Sequence, residues 1–551
     1  MSLFLKQTKT KNRIFLQISE TTYDKVSKKS SNKCYKKLGF LDELISEEIK
    51  DPIAYYKNEV EKLNENRKKQ FEETKKLKID ERREKRVGYF VAKSFFDFLG
   101  LKEKFFDFCK TKGLDTYYYE IIENLIFSKI ISISSSRNSV KNSLSFLYNE
   151  KQYNNEQIYS TLEFLGKYYQ EISDILGIQI KNTFKTVYKN TFFDSFKSFY
   201  NVNGNEICVT QSILMDEDII PFGLSIEIEN SNKNSLGKIL KTFQLKYNPE
   251  KIIRVADRGI NYGNNLYNAI IHDNGYILPL PLSSLVDDDK EWLLNENDYE
   301  NIYYSNGNLN YKTKEDTKEY LVKLIKNDGN LALIKAKQKR VAVYSVALNE
   351  KKRSGINNLV DQAKVLFYSN AQKSDYSKSL KYITIVKQPG KPDKIEINQE
   401  KIDSELKYAG YKMIVTSENN FSKENLFKIC DTVWKIENYY QFLKDHSNDD
   451  SENTKNENRI KGNLLTGFYV ITIYRLIESK IFKNKYAPDE IVNFIKSIKL
   501  LEIGDIYINL LTPSPLVNEL EKIFDITLSN VYFKKSQIEK LFSLKIKKNI
   551  V

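Results

Sequence analysis

Val187-Tyr188-Lys189-Asn190-Thr191-Phe192-Phe193-Asp194-Ser195-Phe196, followed further along by Ile252-Ile253-Arg254-Val255-Ala256-Asp257-Arg258-Gly259, reads as two β-strands that each lead to an acid. In an extended chain Tyr188, Asn190, Phe192, Asp194 and Phe196 share one face, so Asp194 stands between two phenylalanines on the side best suited to burial. An unpaired carboxylate there is costly and calls for a cation or a metal beside it. The competing reading is a solvated carboxylate at a frayed strand end. Asp257 comes just after an apolar strand, where open α/β sheets place their ligands. Taken alone, it reads first as a turn former, helped by Gly259.

Working outward, Ile207 to Met215 and Ile220 to Ile228 are further β-type runs, with Asp216-Glu217-Asp218 as a polar turn between them. A meander, a connecting segment (234–247) and another strand predict an α/β or α+β layer. Residues 286–400 read as an inserted β-rich unit with strands at 331–336, 341–347 and 380–387. Its acidic patch is Asp287-Asp288-Asp289, and its Trp292 reads first as a packing residue, with stacking on an unpaired base as the alternative. Residues 402–417 read as a strand, and 422–444 as a helix on which Glu437, Gln441 and Lys444 share a face. That face is either a polar surface stripe or a Glu and a Lys placed for a metal and a phosphate. Residues 460–481 form a helix apolar all round, hence buried. Upstream, 13–22 reads as a strand and 60–86 as a charged, exposed linker helix that could lie along DNA. Residues 87–185 are helical, with Ser134-Ser135-Ser136-Arg137-Asn138 as a turn or a phosphate contact.

The chain has 87 Lys and Arg against 73 Asp and Glu, a net charge of +14. That surplus suits a polyanionic partner, although Lys-rich composition also follows from AT-rich coding. With 37 Tyr and 31 Phe a large core is available, which excludes disorder as the main state. Four scattered cysteines (Cys34, Cys109, Cys208, Cys430) and two histidines, His272 near a probable helix end and His446 in a polar loop, exclude zinc-finger and disulfide frameworks. Chemistry, if any, runs on carboxylates. The run Leu464 to Tyr474 is 11 residues, short of the ~20 of a membrane helix. With no leader-like start, the expectation is a cytoplasmic protein.

Asp194 in its aromatic strand, Val255-Ala256-Asp257-Arg258-Gly259, and Trp434-Lys435-Ile436-Glu437 with Lys444 resemble, in order, the three blocks of DDE transposases of bacterial insertion sequences. Leu38-Gly39-Phe40, the Met215-to-Pro221 hairpin and Arg459-Ile460-Lys461-Gly462 are similar as well. Cys430 and Val433 depart from it, standing where the family often has Tyr and Arg before its Glu, as does Asn463 in place of a common His. The resemblance implies an RNase H-like mixed sheet within an α/β (α+β overall) fold, a β-rich insertion before Glu437, an N-terminal β/helical DNA-binding region and C-terminal helices. The corresponding boundaries are 1–58, 59–86 (charged helix or linker), 87–185 (helical, DNA-binding), 186–285 and 401–482 (the two core halves), 286–400 (insertion) and 483–551 (C-terminal helices). It further implies Asp194, Asp257 and Glu437 as catalytic ligands of two Mg²⁺ ions (Mn²⁺ as substitute), with Lys444 and Arg258 on DNA phosphate. Its partners would be double-stranded DNA, both terminal inverted repeats and target, and a second copy of the chain in the synaptic complex, close to the nucleoid. An RNase H-like nuclease or resolvase and a degenerate DNA-binding repressor are the alternative activities.

Overall fold

The computed structural model describes residues 3–10, 13–24, 29–45, 49–76, 83–115, 117–131, 147–148, 153–202, 204–229, 235–255, 274–280, 282, 285–303, 309–325, 330–368, 380–386, 394–447, 456–504 and 506–546. The fold is mixed α/β, and the chain divides into two compact units.

The smaller unit begins with β1 (Leu3–Thr10), β2 (Arg13–Asp24) and β3 (Lys29–Phe40), an antiparallel meander covered by helix α1 (Pro52–Lys76). Leu3 and Ile18 of the sheet bury against Val60 of the helix. Asn64 fixes the contact by exchanging both hydrogen bonds with the Leu3 backbone, at 2.9 and 2.8 Å. Gly39 adopts φ +131°, opposite Leu16, where the β2–β3 register shifts, a bulge that disfavours a side chain. The expected charged helix over 60–86 is corrected at its end: residues 77–82 lie outside the described set, and Arg83–Arg86 is a strand, β4.

The larger unit opens with α2 (Phe90–Phe98), α3 (Leu101–Thr111), α4 (Tyr117–Ile131), α5 (Asn155–Lys167) and α6 (Tyr169–Phe184), in agreement with a helical 87–185; residues 134–138 lie outside the described set. Its sheet then runs β5 (Asn190–Val202), β6 (Asn205–Met215) and β7 (Pro221–Glu229) as an antiparallel meander. Helix α7 (Ser235–Tyr247) leads to β8 (Lys251–Val255), which lies parallel to β5, and β9 (Gly275–Leu280) lies parallel to β8. After α8 (Asp287–Leu294) come β10 (Glu300–Tyr303), β11 (Leu309–Ile325), β12 (Leu331–Ser345), α9 (Val346–Tyr368), the short pair β13 (Ile383–Val386) and β14 (Lys394–Ile397), α10 (Gln399–Leu406) and β15 (Tyr411–Thr416).

Of the inserted strands, β13 and β14 pair only with each other, whereas β10, β11 and β12 join the core sheet. One nine-stranded sheet has the order β10-β11-β12-β15-β9-β8-β5-β6-β7, so β15 joins the insertion to the core edge by pairing antiparallel with β9. The two expected strands at 331–336 and 341–347 are the single β12, and the expected strand over 402–417 is helical up to Leu406. Trp292 packs under this region with its face covered by the Arg340 guanidinium, 3.9 Å from the ring centroid. Asp289, from the acidic patch, is buried and accepts hydrogen bonds from Arg340 and Lys318, each at 2.8 Å.

Helix α11 (Lys423–Ser447) precedes α12 (Glu457–Leu476), which passes into a buried π-helical turn at Ile477–Ile481. The all-round apolar pattern is reflected in burial of nearly every α12 residue from Ile460 onward. His446 falls within α11 rather than a loop; its side chain, like those of Gln441 and Lys444, lies outside the described set, as does His272. The tail contains α13 (Pro488–Ser497), β16 (Lys499–Ile503), β17 (Ile506–Asn509), α14 (Pro515–Phe524), β18 (Tyr532–Lys534) and α15 (Lys535–Phe542). The helices expected over 483–551 are accompanied by strands that the expectation lacked, since β16, β17 and β18 form a sheet with β4 in the smaller unit. Among the described residues no helix is long and apolar enough to cross a membrane.

Candidate active site

Alternation sorts the β5 side chains as the sequence requires. Phe193 faces α7, its ring 6.1 Å from Phe243, whereas Phe192 packs toward Phe421 (6.1 Å) and Phe196 against Tyr440 of α11 (5.0 Å). Asp194 therefore points toward α11. It is 5% exposed and lies well inside a strand that continues to Val202, which overturns the frayed-end alternative. Its Oδ1 accepts the Ser195 backbone N–H at 2.8 Å.

A cation does stand near it. Arg254 of β8 is buried; burial depresses its guanidinium to about 10, and the Asp194 charge acts in the opposite direction. Sequence reading passed over Arg254 because it sits in an apolar strand beside the more conspicuous Asp257.

Asp194 and Glu437 line one cavity of about 170 Å³, together with Val255, Lys412, Cys430, Trp434 and apolar side chains of β9, β15 and α11. Two of the three expected carboxylates thus meet there. Asp257 and Arg258 lie outside the described residues; the chain leads toward Asp257 from Val255, which lines the same cavity. Among the described residues no three His, Cys, Asp or Glu side chains form a metal cluster. The donor chemistry nonetheless has a clear preference. Burial pushes the Cys430 thiol up to about 12, and the acidic donors on the cavity wall are the carboxylate oxygens of Asp194 and Glu437. Hard oxygen donors of this kind suit Mg²⁺ or Mn²⁺.

Lys412 was not anticipated, although a lone lysine within the apolar strand around Met413-Ile414-Val415 is a signal. Its ammonium lies over two rings of α11, 5.3 Å from the Trp434 centroid and 5.7 Å from Phe427.

Asp216 and Asp218 lie at the other end of the sheet. Met215 pairs with Phe192, whose partner on β8 is Ile253, so the turn adjoins the start of β8 and not its carboxyl end. The hydrated turn expected for Asp216 is corrected: it is 7% exposed, and its Oδ1 accepts the N–H groups of Asp218 and Ile220 at 3.0 and 2.9 Å. Helix α12 and the π-helical turn after it hold this turn, Arg475 of α12 donating to the Asp218 carbonyl at 2.7 Å and Lys480 of the π-turn pairing with the Asp218 carboxylate at 2.9 Å.

Burial raises the Asp216 carboxyl from 3.8 to about 6. The folded chain then binds this proton more tightly than the unfolded chain. The associated stability is complete below about 4 and is lost as pH rises through about 6. Asp216→Asn keeps the acceptor and removes the charge, so it should gain on the parent protein between pH 4 and 8 by up to about 3 kcal/mol. Urea unfolding at both pH values checks this, and parallel behaviour of the two proteins would refute it.

No protein-family model matches the chain, and no curated protein matches it.

Proposed function

We propose that the protein is an insertion-sequence transposase with an RNase H-like core that binds terminal inverted repeats and carries out metal-dependent DNA strand cleavage and transfer. The observation that carries this reading is the meeting of Asp194 and Glu437, remote in sequence, in one cavity beside the strand that leads to Asp257. The sheet supports it: an antiparallel β5-β6-β7 meander, a helix, then β8 parallel to β5 brings the first and fourth strands of such a core side by side.

Asp194 and Glu437, with Asp257 as third ligand, would hold the divalent ions. Such ions, when bound, would supply an activated hydroxyl as nucleophile and charge neutralisation at the leaving oxygen of an in-line displacement at phosphorus. The chain's own residues prepare that site. Burial between Phe192 and Phe196 holds the Asp194 carboxylate in one orientation, and the apolar walls of Leu280, Leu348 and Phe427 limit competing water. Lys444 and Arg258 would meet DNA phosphate, and the helical 87–185 together with Lys75 to Arg86 would hold the end DNA. A second copy would complete the synaptic complex, in the cytoplasm at the nucleoid.

The test is incubation of the full chain with a duplex carrying the element's terminal repeat. Mg²⁺-dependent nicking and end joining are expected, with binding that weakens by about 10³-fold or more between 50 and 200 mM salt if six to ten phosphates are neutralised. Nicking without joining makes the protein a nuclease, and binding without nicking makes it a degenerate repressor. Absence of DNA binding at low salt refutes all three.

A further inference from the structure

Asp194 is buried and Glu437 half-buried where both line one largely apolar cavity, and a cation on the same wall lowers the cost of their lost hydration. Among the described residues that line the Asp194–Glu437 cavity, Lys412 is the one cation. Arg254 approaches Asp194 but does not line it. Lys412 stands on β15, in the same sheet as β5, and its ammonium lies over the rings of Phe427 and Trp434 of α11. The Lys412 ammonium and the Asp194 carboxylate act in opposite directions on the Cys430 thiol of the same cavity wall.

We propose that Lys412 is the built-in counter-cation of the Asp194–Glu437 pair and that a divalent metal ion binds in competition with it. This rests on reading the cavity as a metal site. In the metal-free chain the ammonium neutralises the carboxylates and keeps the cavity formed. An entering divalent ion takes the same oxygens and is repelled by the same ammonium, so Lys412 sets the metal concentration at which the site fills. Lys412 is a positioning residue in this scheme, acting through the two carboxylates.

The test is Mn²⁺ binding to the full chain without DNA, followed by electron paramagnetic resonance of the free ion. Lys412→Met should tighten Mn²⁺ binding by about tenfold, since a unit charge a few ångströms away in a protein surface cavity is worth at least that factor. Lys412→Gln should act in the same direction, which covers a folding failure of either variant. Lys412→Arg, which keeps the charge, should stay within about twofold of the parent, and Glu437→Gln should lose the site. Without metal, Lys412→Met should unfold at lower temperature than the parent, and saturating Mn²⁺ should restore it. Unchanged or weaker binding in both neutral variants, with Glu437→Gln still abolishing it, overturns the counter-cation role and leaves the metal site standing. Binding that is indifferent to Glu437→Gln, or absent throughout, overturns the metal site and this inference with it.

Discussion

Asp194→Ala should abolish Mg²⁺-dependent nicking of a terminal-repeat duplex, with a loss of roughly a thousandfold or more. A catalytic metal contributes several kcal/mol of transition-state stabilisation, and each ~1.4 kcal/mol is a factor of ten. The structural reason is position. Asp194 is buried mid-strand, faces α11 and shares its cavity with Glu437. Asp194→Asn serves as the companion variant because it keeps the acceptor for the Ser195 N–H and most of the packing between Phe192 and Phe196. Both variants should still bind the duplex, because the carboxylate does not belong to the phosphate-contacting surface. Asp216→Asn should nick at the parent's rate, since its turn lies at the opposite end of β8. Full nicking by Asp194→Ala would remove it from the ligand set and, with it, the transposase reading.

The second large effect is on stability. Helices α5 and α12 cross at two glycines. A Cβ on Gly166 would stand 1.8 Å from the Asn458 carbonyl oxygen, and one on Gly462 would stand 2.1 Å from that of Leu162. Neither position needs a left-handed backbone; each needs the absence of a side chain, so that two backbones can touch. The crossing is then stitched by Arg459 and Asn456, which both donate to Glu163, at 2.8 and 2.9 Å. Gly462→Val should therefore cost more than about 3 kcal/mol, beyond ordinary overpacking, because the obstacle is backbone and cannot rotate away. Gly462→Ala should also destabilise, despite the better helix propensity of alanine. Gly355, in α9, has nothing within 4 Å of its would-be Cβ, so Gly355→Ala should instead gain up to about 1 kcal/mol. Midpoints of thermal unfolding for the full-chain variants decide the matter. A neutral Gly462→Val would mean that the two helices do not touch there.

Period-two alternation was sufficient to place Asp194 among aromatics on the inward face of β5, because strand geometry leaves each side chain only two directions. The same local logic located the β5-β6-β7 meander, the strand before Asp257, the helix of Glu437 and the buried α12, since each is a run whose pattern matches one period along its length. Local pattern also erred where a partner decided the outcome. Arg83–Arg86 looks helical by charge spacing but is strand β4, in one sheet with β16 to β18, which come from the far end of the chain. The acid at Asp216 looks like a hydrated turn residue, yet α12 covers it and Arg475 closes the turn from a distant part of the sequence. Burial of that kind is a property of what packs above a residue, and no neighbour in the sequence encodes it. Likewise β15 carries Lys412 into the cavity only because it pairs with β9, which makes the insertion an extension of the core sheet. The sequence by itself determined the β5-β6-β7 meander, the strand before Asp257, the helix of Glu437 and the buried α12. Only the tertiary structure decided that Asp194 and Glu437 share a cavity, that Arg254 and Lys412 supply the charges beside them, and that two glycines let α5 and α12 meet, because charge balance and close approach arise between elements that the chain keeps far apart.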